Sequence, residues 1–454
     1  MKFEENKIDN KSLDKSALSK YFSEGCKPFK NWKIGAEYEA LGVYQEDGKA
    51  VKYSGQRGIE QILKLLSQEN EYIPQLNESH IIALNGNESS ITLEPGSQIE
   101  LSGKQHDSVH SIKNEIENHF RSLLEISKDL NILFINSALQ PLSELDEIEL
   151  IPKQRYSIMY PYMDKVGTLG HRMMKQSSAI QISIDYSDES DAMIKFKTAM
   201  GIVPIFYSIF ANSPILGGKL NGYKSYRGHV WTNTDNDRCG ILPFSFDDNF
   251  SFNSYVNYAI NSGMYFVERG GQLHNMTGVT FDHFIINGHN DFTATQQDWE
   301  LHISTLFPEV RFKKYIEIRC FDSQPYENML AVPAMIKGIF YDTECLDAAW
   351  ELVKDWSWEE RLQAYNSVHK YALQAEVRGK SFQELAIELI NIAKNGLLTQ
   401  DNLNKNGENE TIYLNSIEQD VTNGICPADK LIQKWENEWK GDIKKLIKYC
   451  AYEI

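Results

Sequence analysis

Three segments of this 454-residue chain place glutamates where strand-forming sequence ordinarily excludes them, and that pattern limits the fold more than any other feature. Glutamate is disfavoured in strands, and like charges close together on one face repel. In residues 34–39, IGAEYE, the two-residue period of a strand sets Glu37 and Glu39 on the same face. In residues 93–103, LEPGSQIELSG, two strands meet at a Pro-Gly turn and carry Glu94 and Glu100 close to it. In residues 314–321, KYIEIRCF, the same period puts Tyr315, Glu317, Arg319 and Phe321 on one face, with Ile316, Ile318 and Cys320 opposite. Five carboxylates lining one concave sheet need a counter-charge. The competing reading is a row of solvent-facing acids on the wet side of an antiparallel sheet, which by itself explains the alternation. A fourth alternating segment, residues 178–186, sets Ile180, Ile182 and Ile184 against Gln181, Ser183 and Asp185, so its polar face can meet the same cleft.

Periodicity assigns helices to 12–24, 56–69, 107–129 and 188–211, and strands to 32–43, 79–85, 89–102, 131–138, 174–186 and 309–322. From about residue 329 the chain reads as helical, over 330–343, 357–376, 382–397 and 428–453, with Asn395-Gly396 as a helix stop. Residues 404–411 are rich in turn formers, lack an apolar period and read as a solvated loop with no catalytic part. The class is α+β. No repeat, low-complexity block or flexible linker divides the chain, which predicts one catalytic domain over 1–454 with a helical C-terminal portion from about 330 to 454.

A net charge of −17 argues against nucleic acid as a partner, since phosphate backbones are bound through clustered Lys and Arg. The apolar runs at 202–209 and 329–340 are shorter than the roughly 20 residues of a membrane span, and the first fifteen residues are charged without an apolar core. The expected protein is therefore cytoplasmic, without a membrane partner. The six cysteines form no CxxC pair and read as reduced, mostly buried thiols.

Clustered carboxylates are hard oxygen ligands that suit Mg²⁺ or Mn²⁺, and Mg²⁺ is usually held by a few carboxylates together with substrate phosphates, which points to a nucleoside triphosphate. No glycine-rich phosphate loop precedes a helix, so cationic side chains must meet the phosphates. Candidates are Arg311, Lys313 and Arg319 around Glu317, with Lys153 and Arg155. Residues 226–238 combine Arg227 and Arg238 with Trp231 among turn formers, and arginine offers a planar fork for a substrate carboxylate. Nucleophilic catalysis is disfavoured: there is no GxSxG elbow and no cysteine in a catalytic setting, while His171 and His229 are isolated histidines of the kind that is more often structural.

Together the segments GAEYE (35–39), ITLEPGSQIELSG (91–103), PKQRYSIMYPYMDKVGTLGHRMM (152–174), IQISIDYS (180–187), FANSPILGGKLNGYKSYRGHVWTNTDNDRCGILPFSFDD (210–248) and FPEVRFKKYIEIRCFD (307–322) resemble the plant-type branch of the glutamate–cysteine ligase family. The resemblance implies a glutamine synthetase-like catalytic fold, a curved, mainly antiparallel sheet funnel with helices packed outside. It also implies a reaction in which ATP phosphorylates the glutamate side chain and the cysteine amine displaces phosphate, giving γ-glutamylcysteine. On this reading Glu37, Glu39, Glu94, Glu100 and Glu317 hold Mg²⁺, with Mn²⁺ as an alternative. Arg155, Arg311, Lys313 and Arg319 meet ATP, and Arg227, Trp231, Arg238 and Gln181 meet glutamate, Arg227 holding a carboxylate. Glu37, Glu317 and Arg319 are the expected catalytic residues. Where plant-type relatives read Arg-Thr-Cys, this chain has Gln176, Ser177 and Ser178, which motivates a second reading in which a different amine replaces cysteine. Residues 273–293 contain no cysteine, so a thiol switch of the plant kind is not expected. A third reading is a catalytically inactive binding subunit, which retention of all five acids disfavours.

Overall fold

The computed structural model describes Leu13 and residues 15–69 and 71–454. The first predicted helix is seen as Lys15–Ser23, residues 12 and 14 of that prediction lying outside the described residues. Nine strands form the main sheet: β1 (Ile34–Tyr44), β2 (Ile73–Asn77), β3 (His80–Asn85), β4 (Ser90–Leu93), β5 (Ile99–Ser102), β6 (Ile132–Ile135), β7 (Ala179–Ile184), β8 (Val310–Phe312) and β9 (Ile316–Asp322). Their order is β8-β9-β7-β1-β5-β4-β3-β2, with β6 on the far half of β1. Every pairing is antiparallel. The helices that matter for the site are α1 (Val109–Asp129), α2 (Gln154–Val166), α3 (Gly170–Gln176), α4 (Glu189–Phe210), α5 (Tyr226–Trp231), α6 (Ala331–Phe340), α7 (Trp358–Tyr371) and α8 (Phe382–Gln400).

The alternation read from the sequence sorts the central strands into two faces. Ala36 and Tyr38 of β1, the three isoleucines of β7, and Ile316 and Ile318 of β9 are buried on one face, which α4 and α6 cover. The acids take the other. Helix α4 is apolar almost all round, as a helix inside a core must be. By length and composition it is a candidate membrane span, but 89% of its most apolar window is buried within the protein.

Two strand expectations are corrected. Residues 309–322 are a hairpin, β8 and β9, not one strand, with the Lys313 N–H donating to the Tyr315 carbonyl across the turn. Within β9 the register against β7 shifts between Ile318 and Phe321, so that Arg319 and Cys320 together oppose Gln181. Such a bulge re-aims side chains. Beyond it Phe321 turns to the helix-covered face, against Phe206 and Phe210 of α4, instead of sharing a face with Glu317.

Other differences lie in the helices. Residues 174–176, expected to begin a strand, end α3. Asn395-Gly396 does not stop α8, which continues to Gln400. Gly396 is there for packing: a Cβ on it would lie 1.9 Å from the Gly338 carbonyl oxygen of α6, and one on Gly338 would lie 2.2 Å from the Ala393 carbonyl oxygen. The expected helix 428–453 is broken into Pro427–Gln433, a wide turn over Lys434–Trp439, and Ile443–Cys450, with Lys440 left-handed at φ 50°. The 404–411 loop is not wholly solvated, because Glu410 is fully buried, paired with Lys337 at 2.7 Å, and accepts the Val109 N–H at the start of α1.

Candidate active site

The polar face of the sheet, with α2, α3, α5 and residues 304–307, encloses a cleft. Glu37 and Glu39 reach it from β1, Glu94 and Glu100 from the β4–β5 hairpin, and Gln181 from β7. Arg311, Lys313 and Arg319 come from the β8–β9 hairpin, Arg155 from the first turn of α2, and Arg227 and Trp231 from α5. Ser225 caps α5 by accepting the Gly228 N–H, which fixes Arg227 in the first turn. Three predicted site residues lie elsewhere, among them Lys153, whose ammonium donates to the Leu93 carbonyl at 2.8 Å. Arg238 is fully buried away from the cleft, bonded to Asp235 at 2.7 Å and to the Gly263 carbonyl, and stacked over Tyr265. Glu317 lies beneath the cleft wall with no exposed surface.

Glu317 is enclosed by cations. Lys313 Nζ donates to Oε1 at 2.9 Å, while Arg311 Nε and Arg319 Nη1 both donate to Oε2 at 2.8 Å. Burial pushes its carboxyl up, but the three cations outweigh burial and hold it well below the usual carboxylate range. With both oxygens bonded, Glu317 anchors the three cations in this structure.

The remaining acids have the opposite character. Glu39 and Glu100 face each other across β1 and β5, both 7% exposed, and the wet-face reading of the acidic strands is thereby excluded. Burial, reinforced by Glu100 and Glu317, pushes Glu37 up to about 8 against the pull of Lys313 and Arg319. Burial, then Glu94 and Glu100, raises Glu39 well above its ordinary value, and burial, then Glu94, raises Glu100. Partial relief comes from Arg227 and the Ala179 N–H, at 2.8 Å, on Glu39, and from the Ser102 hydroxyl, at 2.8 Å, and Lys153 on Glu100. Among the described residues no three acids, histidines or cysteines are gathered around one point as a ready metal cage. Paired, buried carboxylates short of positive charge nevertheless fit a hard divalent cation that takes one or two carboxylates and completes its shell with phosphate oxygens. Gln181 stands between the two regions, accepting from Arg319 Nη1 and donating to Glu39 at 3.3 Å.

Residues 33–449 match the family model described as glutamate–cysteine ligase family 2. The chain belongs to that family. It is 36% identical over 443 residues to the chloroplastic glutamate–cysteine ligase B of Oryza sativa subsp. japonica, covering 97% of this chain and 88% of that one. To the chloroplastic glutamate–cysteine ligase of Brassica juncea it is 34% identical over 452 residues, covering 99% and 86%. The fold is shared with the solved glutamate–cysteine ligase of Francisella tularensis in complex with AMP, at 15% identity and a TM-score of 0.55 over 93% of this chain and 90% of that one. The chain is thus a ligase, not an inactive binding subunit. The expectation of a cytoplasmic protein is corrected, since these plant relatives are chloroplastic.

Of residues 176–178 only Ser177 lines the ligase's cleft. Gln176 is fully buried, donates to the Ser143 carbonyl at 2.7 Å and accepts from Arg172 at 2.8 Å; it does not line the cleft. Ser177 does line it, but its hydroxyl is given to the Met173 carbonyl. The sequence also left functional neighbours unread. Glu309 and Asp322, buried in the ligase core, flank Arg227 and Arg319. Their signal, an acid at each end of the β8–β9 hairpin, was present but carried no alternation to set it apart.

Proposed function

We propose that the ligase joins the γ-carboxylate of glutamate to the amine of cysteine through γ-glutamyl phosphate, with ATP as phosphoryl donor and Mg²⁺ as the metal. The observation that carries this is the separation of charge on one sheet face: three cations anchored on Glu317, beside buried acids that lack positive partners. A carboxylate and a triphosphate repel, and a site that joins them must hold both anions while screening one from the other. Arg311, Lys313 and Arg319 are set to receive phosphate oxygens, with Arg155 at the cleft mouth. Glu37, Glu39, Glu94 and Glu100 are set to hold Mg²⁺ in pairs. When bound there, the ion supplies charge neutralisation across the phosphates. Arg227 and Trp231 have buried donors without partners, Nε and Nη1 on the arginine and Nε1 on the tryptophan, which suit the glutamate carboxylate. An oxygen of the γ-carboxylate attacks the terminal phosphorus and ADP leaves; the amine nitrogen then attacks the acyl carbon, phosphate leaves, and the nitrogen gives up a proton.

Phosphate release by purified protein with glutamate, ATP and Mg²⁺ tests this directly. Cysteine is expected to support far faster release than any other amine in a panel, and omission of the divalent ion to abolish it. A faster rate with another amine would replace cysteine as the acceptor.

A further inference from the structure

Arg227 is balanced in charge without being hydrogen-bonded to any acid. It is 3% exposed, and its one hydrogen bond from the guanidinium goes from Nη2 to the Arg319 carbonyl at 3.0 Å. Asp322 approaches Nη1 only to 3.7 Å, because its oxygens accept from the Asn212 N–H and the hydroxyls of Ser213 and Ser225. Glu309, 4% exposed, is occupied in the same way. Its oxygens accept from the Tyr207 hydroxyl, at 3.1 Å to each, and from the Tyr365 hydroxyl. Its backbone carbonyl takes the Arg319 N–H at 2.9 Å, so the backbone of one residue of the β9 bulge, Arg319, bridges Glu309 to Arg227. Tyr207 lies under the same turn of α5, where a Cβ on Gly228 would come within 2.8 Å of its ring. Tyr365 belongs to α7, from the helical portion of the chain that the sequence left without a task.

We infer that Glu309, held by Tyr207 and Tyr365, is a resident counter-charge for Arg227 that lowers the affinity of this site for the substrate carboxylate. The inference rests on the reading in which Arg227 receives a carboxylate of glutamate. A buried guanidinium is costly unless compensated. Asp322 and Glu39 weigh more on Arg227, and Glu309 adds to that compensation in the free protein through space. Burial raises the Glu309 carboxyl, and Tyr365, Arg227 and Tyr207 pull it back, while its hydrogen bonds go to neutral hydroxyls and leave the arginine's donors free. An incoming carboxylate offers the same compensation. Whatever stabilises the free state more than the bound state weakens binding by the same factor. Glu309 is thus a positioning and affinity-setting residue, and α7 is part of the site through Tyr365.

Glu309→Gln tests this, because it keeps the shape and the tyrosine contacts while removing the charge. The free protein should melt at a lower temperature, glutamate should raise that temperature by more than it does in the parent, and the KM for glutamate should fall about fivefold, the scale of one buried charge seen through a polarisable interior. The KM for ATP should stay unchanged. Tyr365→Phe, which weakens the hold on that carboxylate charge and alters one hydroxyl only, should move glutamate KM in the same direction by less, and decides the matter alone if the first variant does not fold. A purely structural role would lower the melting temperature and leave glutamate KM unchanged or raised, and that outcome overturns the inference. If the parent protein shows neither saturation by glutamate nor a glutamate-induced rise in melting temperature, the functional reading falls first and takes this inference with it.

Discussion

Glu317 and Glu37 are two residues of one acidic face with opposite fates. Both are expected metal ligands from the same alternation, yet Glu317 is bonded by Arg311, Lys313 and Arg319, whereas burial, then Glu100 and Glu317, push Glu37 up to about 8. Replacing Glu317 by Gln is therefore expected to do more than remove a ligand. It leaves three buried cations without their anion, a loss on the order of 3–5 kcal/mol for a broken buried pair. It also frees Arg319 from its anchor. Denaturant unfolding should show the stability loss, and ATP turnover should fall at least about a hundredfold, the scale of a lost preorganised charge. Normal stability with lost turnover would return Glu317 to the role of metal ligand. Four of the five acids were legible because each sits on a strand whose other face is apolar, and Glu94 because it directly follows one. The cation cage was legible only as nearby letters, since bonding within it depends on the turn at 313–315.

At the scale of elements, the bulge in β9 and the α6–α8 contact decide what the sequence could not. A bulge adds one residue without disturbing the local apolar-polar pattern, so residues 316–321 read as regular alternation although Arg319 and Cys320 both oppose Gln181. The two missed helices that wall the cleft, α2 and α3, lack a clean apolar stripe, and α2 contains Pro161. Helix α5 has six residues, too few for periodicity to register. Gly396 misled for a different reason. A glycine near a helix end is a stop signal locally, but here it admits the Gly338 backbone at a distance no side chain allows. Gly396→Ala should cost about 1–3 kcal/mol, the usual range for overpacking a filled interface. Gly338→Ala should behave alike, and the double variant should fall short of the sum because both crowd one contact. Unfolding midpoints in urea check both. Two harmless, additive substitutions would show that the helices can separate freely.

Across the whole molecule, burial of titratable groups sets how stability follows pH. His302 is 2% exposed, and burial lowers it to about 3; its Nε2 bonds the Ala259 carbonyl. A folded value below the unfolded value of about 6.5 means that the unfolded chain takes up the proton first. The contribution of His302 is complete above pH 6.5 and is lost as pH falls from there toward 3, about 2 kcal/mol of it by pH 5. His369, between Tyr207 and Tyr365, is lowered to about 3 chiefly by burial as well. Glu37, raised to about 8, runs the other way and loses stability as pH rises from about 4.5 to 8, so the net curve mixes both signs. The cleaner measurement compares His302→Gln with the parent. The variant keeps a donor for Ala259 and cannot titrate, so its stability difference between pH 7 and pH 5 should be smaller by about 2 kcal/mol. An unchanged difference would mean that His302 is not held neutral.

The sequence alone determined that acids share a sheet face, that this face opposes an apolar one, and that cations flank the acid of the last hairpin, because these are matters of period and neighbourhood along the chain. Which acids have partners was decided only in three dimensions. Coulomb energy and desolvation depend on distance through space and on the water excluded by helices far away in sequence. Thus α7 brings Tyr365 to Glu309, Arg319 and Arg311 claim Glu317, and Glu39 and Glu100 are left facing each other across two strands.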